Sequence, residues 1–261
     1  MELNLEGKVA IVTGGARGLG KAMVEEFVKE KANVVIADIL LNDGQELAEK
    51  LSGDGVKVTV VKTDVSKKPE ADNLAMTALK EFGKIDILVN GAGVTADLEF
   101  LDIEEAEWDR VMDINAKGTY LVTKAVVPHM IANRYGKVIN ISSRSGKDGT
   151  PTLAHYCASK FAVIGLTQSL AKALAKYAIN VNAVCPGIIR TDKWERILDA
   201  RARCAGIPRE EIFAKVVEEM IPLGRPAEPI DIANMVIFLS SDVTGYITGE
   251  SISVNGGSLM D

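Results

Sequence analysis

Histidine and cysteine are scarce in this chain: 261 residues hold two histidines and three cysteines. Cys157, Cys185 and Cys204 are scattered, form no CxxC pair and have no histidine at ligand spacing. A structural zinc site is disfavoured on that pattern, and no metal ligands are expected. An odd number of scattered cysteines suits a reducing compartment rather than a disulfide framework. Basic residues are in deficit, 30 against 36 acidic, for a net charge of −6. A mildly acidic chain is a poor partner for nucleic acid or an anionic membrane. Long apolar runs are missing too. "MELNLEGKVAIVTGG" (1–15) carries acids where a signal peptide carries bases, and its apolar run is too short to span a bilayer. A cytoplasmic location is the expectation.

What is present is a regular alternation. Apolar, β-branched runs occur at 8–13, 33–38, 56–61, 85–90, 136–142, 179–185 and 251–256. They lack strict alternation, as strands buried on both faces of a parallel sheet do. Helical stretches lie between them, at about 18–31, 43–52, 67–82, 104–133, 154–178 and 228–240. The pattern predicts one α/β domain spanning 1–261, a doubly wound sheet of seven mostly parallel strands with helices on both faces. Segment 192–220 breaks the rhythm. It is helical but interrupted by Gly206 and Pro208, which predicts two short helices joined at 205–208. In an open α/β sheet, ligands bind outside the carboxyl ends of the strands. A helical pair inserted there reads as a substrate lid, although a plain surface excursion is the alternative. Trp194 and Phe213 favour the lid, since a bare surface would leave both large groups in water.

The turn after the first strand, "TGGARGLG" (13–20), spaces Gly14, Gly18 and Gly20 as GxxxGxG. A tight glycine turn brings backbone N–H groups and a helix N-terminus against a pyrophosphate. One glycine would be an ordinary strand–helix turn; three in this place predict a nucleotide. Asp38 ends the second strand, where a carboxylate accepts hydrogen bonds from the adenosine ribose. It also repels a 2′-phosphate, by about 4 kcal/mol for unit charges ~4 Å apart at an effective dielectric of 20. That repulsion is expected to outweigh any attraction from Arg17, which predicts NAD over NADP. Asp43 is the better helix-cap candidate of the two acids. Asp64 ends the third strand, where it can accept from the adenine amino group. Gly91 and Gly93 end the fourth, where cofactor backbone can pass close.

The helix beginning near residue 154 places Tyr156 and Lys160 four apart on one face. In isolation such a pair is usually a solvated face. Here "INISSRSG" ends the fifth strand at the same sheet edge, with Ser143 thirteen residues before Tyr156. Oxidising an alcohol by hydride transfer requires removal of its proton, and a tyrosine pKa near ~10 suits neutral pH poorly. The Lys160 ammonium and a positive nicotinamide ring would both lower it. A serine hydroxyl would hold the substrate oxygen against the phenol.

Together these motifs resemble the short-chain dehydrogenase/reductase family along essentially the whole chain. The matching stretches are "TGGARGLG" (13–20), Asp38, "DV" (64–65), "NGAG" (90–93), "DINAKG" (113–118), "NISS" (140–143), "YCASK" (156–160), "NAVCPGIIRT" (182–191) and "SVNGG" (253–257). The resemblance implies a Rossmann-type fold with Tyr156 as acid/base, Ser143 as substrate orienter and Lys160 as ribose binder and tuner. Asn115 would hold a water joining Lys160 to solvent; without the family it reads as a mid-helix kink. The implied cofactor contacts are Gly14, Arg17, Gly18, Leu19, Gly20, Asp38, Asp64, Val65, Asn90, Gly91, Ala92, Gly93, Tyr156, Lys160, Pro186, Gly187, Ile189 and Thr191. Gly91 departs from a second asparagine usual in the family. The pocket is expected from Val94, Thr95, Ser143, Ser145, Thr150, Leu153, Tyr156, Gly187 and Trp194. "CPGIIRTDKW" is similar to polyol and acetoin/butanediol dehydrogenases, which implies a small polyol, sugar alcohol or diol. The alternatives are a 3-oxoacyl carrier-protein reductase, usually preferring NADP, a dehydrogenase of bulkier alcohols such as steroids, and a non-catalytic NAD-sensing protein. The C-terminal stretch 245–261 resembles the part that builds subunit contacts, which implies a homotetramer.

Overall fold

The computed structural model describes residues 2–53, 55–190, 198–199, 202–203 and 206–260. Seven strands form one sheet: β1 (Val9–Thr13), β2 (Asn33–Asp38), β3 (Val58–Lys62), β4 (Ile87–Asn90), β5 (Gly136–Ile141), β6 (Ile179–Pro186) and β7 (Ser251–Val254). Their order is β3-β2-β1-β4-β5-β6-β7, and all six pairings are parallel. The mostly parallel expectation is thus met in full, and each strand begins within two residues of its expected start.

The described helices are α1 (Gly18–Lys29), α2 (Leu41–Leu51), α3 (Lys68–Phe82), α4 (Glu105–Met112), α5 (Gly118–Asn133), α6 (Ala154–Leu174), α7 (Arg209–Met220) and α8 (Pro229–Ser240). They cover both faces, and alternation along β1 shows why. Ala10 and Val12 pack into one core with Val24 and Phe27 of α1 and Val236 of α8. Ile11, between them, packs into the other with Leu74 of α3, Val122 of α5 and Leu174 of α6. With both faces apolar, the strands read as unbroken hydrophobic runs.

Two elements depart from expectation. The helix expected over 104–133 is interrupted at Asp113–Lys117, which forms a π-helical turn between α4 and α5. Single π turns inside helices are frequent at functional sites. Gly118 closes the turn because a side chain there would meet Val65 Cγ2 at 2.7 Å. The helix expected from 43 starts at Leu41, and no side chain caps it. Asp43 lies in its first turn and pairs instead with Arg17 at 2.9 Å, so the cap reading of Asp43 is corrected. Of the expected lid, the described helical parts are 198–199, 202–203 and α7, and Phe213 on α7 is half-buried. Trp194, Thr191 and Cys204 lie outside the described residues. No helix among the described residues is long and apolar enough to cross a membrane.

Candidate active site

Strand order reverses at β1, which pairs with β2 on one side and β4 on the other. A crevice opens at the carboxyl ends of such a switch point. Its floor is stapled by Thr13, whose Oγ1 accepts from the N–H of Gly91 at 3.0 Å and of Ala92 at 3.1 Å. This tie between the β1 and β4 turns was not anticipated from sequence. The glycines fit it closely. Gly14 has φ +68°, and a Cβ on it would lie 2.9 Å from Ala92 Cα. Gly18 has φ +54°, and a Cβ on Gly20 would fall 1.9 Å from the Gly14 carbonyl oxygen. A Cβ at Gly91 would lie 2.8 Å from the Thr13 carbonyl oxygen. No side chain caps α1, and its first turn carries no acid. Orphan helix N–H groups behind a glycine turn, with no competing carboxylate, fit a phosphate-bearing cofactor.

Asp38 is buried at the end of β2 and accepts two backbone N–H bonds. Oδ2 takes that of Ala16 and Oδ1 that of Leu40, both at 3.0 Å. It is therefore fixed beside the glycine turn and organises the turn into α2. Arg17, at the other side of that turn, is largely exposed and held by Asp43. Asp64 spends Oδ1 on the N–H of Ser66 at 3.0 Å and its hydroxyl at 2.6 Å. Val65 is buried against Gly118. Asn90 is also buried, and its Nδ2 donates to Thr123 Oγ1 at 2.9 Å and Asn140 Oδ1 at 2.8 Å. Its side chain thus braces the sheet against α5, leaving its backbone as the part available to a cofactor.

One cleft is lined by Leu19, Gly91, Gly93, Val94, Thr95, Ile141, Ser142, Ser143, Tyr156, Lys160, Pro186, Gly187 and Ile189. The structure therefore brings together the glycine turn, the end of β4, Ser143, Tyr156, Lys160 and the segment after β6. Ser145, Thr150 and Leu153 stand beside this wall rather than on it. Ser145 is buried, its N–H donating to Ser143 Oγ at 3.1 Å and its hydroxyl 3.4 Å from Thr150 Oγ1. A Cβ on Gly187 would lie 2.9 Å from Asn255 Cα, so that glycine lets the β6 exit pack on the end of β7.

Lys160 is buried, and its Nζ donates to the Ile141 carbonyl at 2.8 Å. Ser142 Oγ donates to the Lys160 carbonyl at 3.0 Å, tying β5 to α6. Lys160 Nζ stands 5.7 Å from the centre of the Tyr156 ring. Tyr156 is partly enclosed at the cleft wall. That enclosure pushes its pKa above the ordinary tyrosine value, while the hydrogen bond from Ser143 pulls it down. The expectation that Lys160 leaves the phenol more acidic than usual is corrected for the protein alone: desolvation of the phenolate prevails.

Asn115 sits in the π turn and is fully buried. Its Oδ1 accepts from the Val94 N–H and its Nδ2 donates to the Val94 carbonyl, both at 2.8 Å. Nδ2 also donates to Ser159 Oγ at 3.0 Å, and Ser159 Oγ donates to the Tyr156 carbonyl at 2.7 Å. The side chain thus clamps the loop after β4 and reaches the first turn of α6. Ser159 was missed from sequence, although the serine of "YCASK" was visible. A Cβ on Gly93 would meet Asn115 Oδ1 at 3.3 Å and Lys160 Nζ at 3.4 Å, which brings the three groups to one point.

These features define a dinucleotide crevice with a serine, a tyrosine and a lysine on its wall. Comparison with known proteins agrees. The family model for short chain dehydrogenase matches residues 8–202. Galactitol 2-dehydrogenase of Agrobacterium fabrum is 40% identical over 260 residues, covering 99% of this chain and all of that protein. The 3-oxoacyl-acyl-carrier-protein reductase FabG of Thermotoga maritima is 38% identical over 255 residues, covering 98% and 99%. Oxidoreductase UcpA of Salmonella typhimurium is 38% identical over 257, covering 98% and 96%. The chain belongs to the short-chain dehydrogenase/reductase family: it is an oxidoreductase that uses a nicotinamide cofactor on a small-molecule substrate.

Proposed function

We propose that this protein is an NAD-dependent dehydrogenase that interconverts a secondary alcohol and its ketone in a small polyol, sugar alcohol or diol. The observation that carries the cofactor choice is Asp38, a buried carboxylate fixed by two backbone N–H groups beside the glycine turn. The nearest cation in that turn, Arg17, is engaged by Asp43. Gly14, Gly18, Leu19 and Gly20 would hold the pyrophosphate, Asp38 the adenosine ribose, and Asp64 and Val65 the adenine. The stretch Asn90–Gly93, Lys160, Pro186, Gly187, Ile189 and Thr191 would hold the nicotinamide half. The cofactor supplies the hydride acceptor or donor.

The chain's own residues handle the proton. Ser143 holds the substrate oxygen against the Tyr156 hydroxyl. Tyr156 takes the alcohol proton during oxidation and returns it during reduction. Lys160 binds ribose and, with the nicotinamide charge, opposes the burial that raises the Tyr156 pKa. Asn115 holds the β4 loop and α6 in register around it. Trp194 and the rest of 192–220 would close over substrate with Ser145, Leu153 and Gly187 near the entrance.

The polyol reading draws on the likeness to galactitol 2-dehydrogenase. The likeness to a 3-oxoacyl-acyl-carrier-protein reductase supports a second reading, reduction of a 3-oxoacyl thioester. Initial rates with NAD and NADP against polyols, diols, hydroxy acids and bulky secondary alcohols separate the two. Turnover of a polyol or diol with NAD supports the first. Activity confined to NADPH and a 3-oxoacyl thioester would move the protein to the second. A cytoplasmic homotetramer is part of the proposal. Half-exposed Trp108 on α4, Tyr120 on α5 and Phe161 on α6, and the open edge of β7, support assembly.

A further inference from the structure

The cleft occupies the carboxyl edge of the sheet, but the opposite edge is not plain packing. At the N-terminal ends of β5 and β6 lies a recess of about 540 Å³, lined among others by Tyr135, Lys137, Ala178, Asn180, Asp242 and Tyr246. That volume falls within the range of small-molecule pockets. Lys137 and Ser142 are five residues apart across β5, roughly 16 Å at the rise of a strand. A molecule in the recess is therefore not in the cleft.

Three observations indicate what the recess takes. Lys137 is only 3% exposed. Among the described residues its ammonium has one hydrogen-bond partner, Asn180 Oδ1 at 2.8 Å. An ammonium has three donors, and buried donors without acceptors are costly. Burial, and then Lys8, hold its pKa below the usual lysine value, while Asp242 acts the other way. The acids nearby are already engaged. Asp242 accepts from the Tyr135 hydroxyl at 2.8 Å and lies 3.7 Å from Lys8 Nζ. Asp86 accepts from the Val9 N–H and from Lys84, both at 2.8 Å. Lys8 and Lys137 thus face one carboxylate, Asp242, within the group, which leaves one positive charge over. Finally, the remaining lining is mainly apolar: Ala175, Ala178, Ile179 and Gly245, with Thr248 as its polar member, whose Oγ1 is already taken by the Val181 N–H at 3.1 Å. Tyr246, also on the lining, is fully exposed.

We propose that this recess is a second binding site, separate from the dehydrogenase cleft, for an aromatic monocarboxylate. Its carboxylate would accept the spare N–H groups of Lys137, and its ring would lie against Tyr246 and the alanine wall. One surplus positive charge calls for one negative charge, and the apolar wall for a flat apolar body.

Benzoate is the probe, titrated by calorimetry into the full-length protein, with benzyl alcohol as the uncharged match in shape. The expected result is one benzoate per chain, benzyl alcohol at least tenfold weaker, and Lys137→Met at least tenfold weaker for benzoate. Tyr246→Ala should weaken benzoate severalfold, measured on protein whose oligomeric state by size exclusion matches the parent, because Tyr246 lies in the 245–261 stretch assigned to subunit contacts. Alcohol oxidation by both variants should stay at the parent rate, because neither residue touches the cleft. Absence of benzoate binding up to about 10 mM, far below the affinity of a useful site, would overturn the proposal. So would equal binding by Lys137→Met, or displacement of benzoate by the nicotinamide cofactor.

Discussion

On the proposed NAD reading, replacing Asp38 removes a carboxylate that would repel a ribose 2′-phosphate, and the structure lets its electrostatic and structural contributions be separated. Unit charges ~4 Å apart at an effective dielectric of 20 repel by about 4 kcal/mol, which is a ceiling of roughly a thousandfold in specificity. Salt and the solvent at the crevice mouth reduce it, so Asp38→Ala should shift the NADP to NAD ratio of kcat/KM by about a hundredfold. Alanine also strips the acceptor from the N–H groups of Ala16 and Leu40. Ala16 is buried and Leu40 exposed. The loss falls mainly on Ala16, roughly 1–3 kcal/mol for an orphaned buried donor, and lowers Tm by several degrees. Asp38→Asn keeps one acceptor and no charge. It should reproduce most of the cofactor shift with a smaller drop in Tm. Steady-state kinetics with both cofactors and a thermal melt check the pair. A ratio unchanged within twofold in both folded variants would refute the electrostatic argument.

Removing the Ser143 hydroxyl deletes the hydrogen bond that pulls the Tyr156 pKa down; Ser143→Ala should slow turnover and move the pH profile of alcohol oxidation to higher pH, and a profile unmoved or shifted to lower pH would separate the two residues. Asn115→Ala loses the clamp on Val94 and the bond to Ser159; it should cost about 2–4 kcal/mol by denaturant unfolding, from two or more unpaired buried groups, and lower kcat with it. Asp231 on α8 accepts from Arg225 at 2.6 and 3.0 Å and from the Glu228 N–H at 2.8 Å. Arg225 first, and the Glu228 N–H, hold its carboxyl below the ordinary value near 3.8. Its stabilisation is therefore complete above pH ~4 and lost as pH falls through the depressed value. Asp231→Asn should cost roughly 1 kcal/mol at pH 7, the usual worth of a cap, with a smaller deficit in acid melts.

Most of the sheet could be read from sequence because β1, β2, β4, β5 and β6 are buried on both faces and appear as largely apolar runs ended by glycine or a polar residue, whereas the edge strands β3 and β7 are only partly buried and carry polar residues within them. The π turn at 113–117 could not. It adds one residue to a helical turn while the apolar spacing on either side continues, and Asn115 carries no mark of the loop it clamps. The glycine turn and Asp38 stood out because few residue types fit those places. Asp43 misled because a lone acid near a helix start resembles a cap, whereas its ion-pair partner Arg17 is distant in sequence. The Tyr156 and Lys160 spacing announced a shared face, but spacing carries no information about enclosure. Enclosure sets the direction of the phenol's pKa. Ser145 and Leu153 are close to Ser143 and Tyr156 in sequence, and neither is among the described residues lining the cleft.

The most direct test of the central claim pairs turnover with cofactor binding in Tyr156→Phe. NADH binding is followed by nicotinamide fluorescence, and alcohol oxidation by absorbance at 340 nm. Removal of the proton-transferring hydroxyl alone predicts turnover reduced by about a hundredfold or more, with NADH affinity within a few fold of the parent. Turnover within tenfold of the parent would contradict the assignment of Tyr156 as the acid/base.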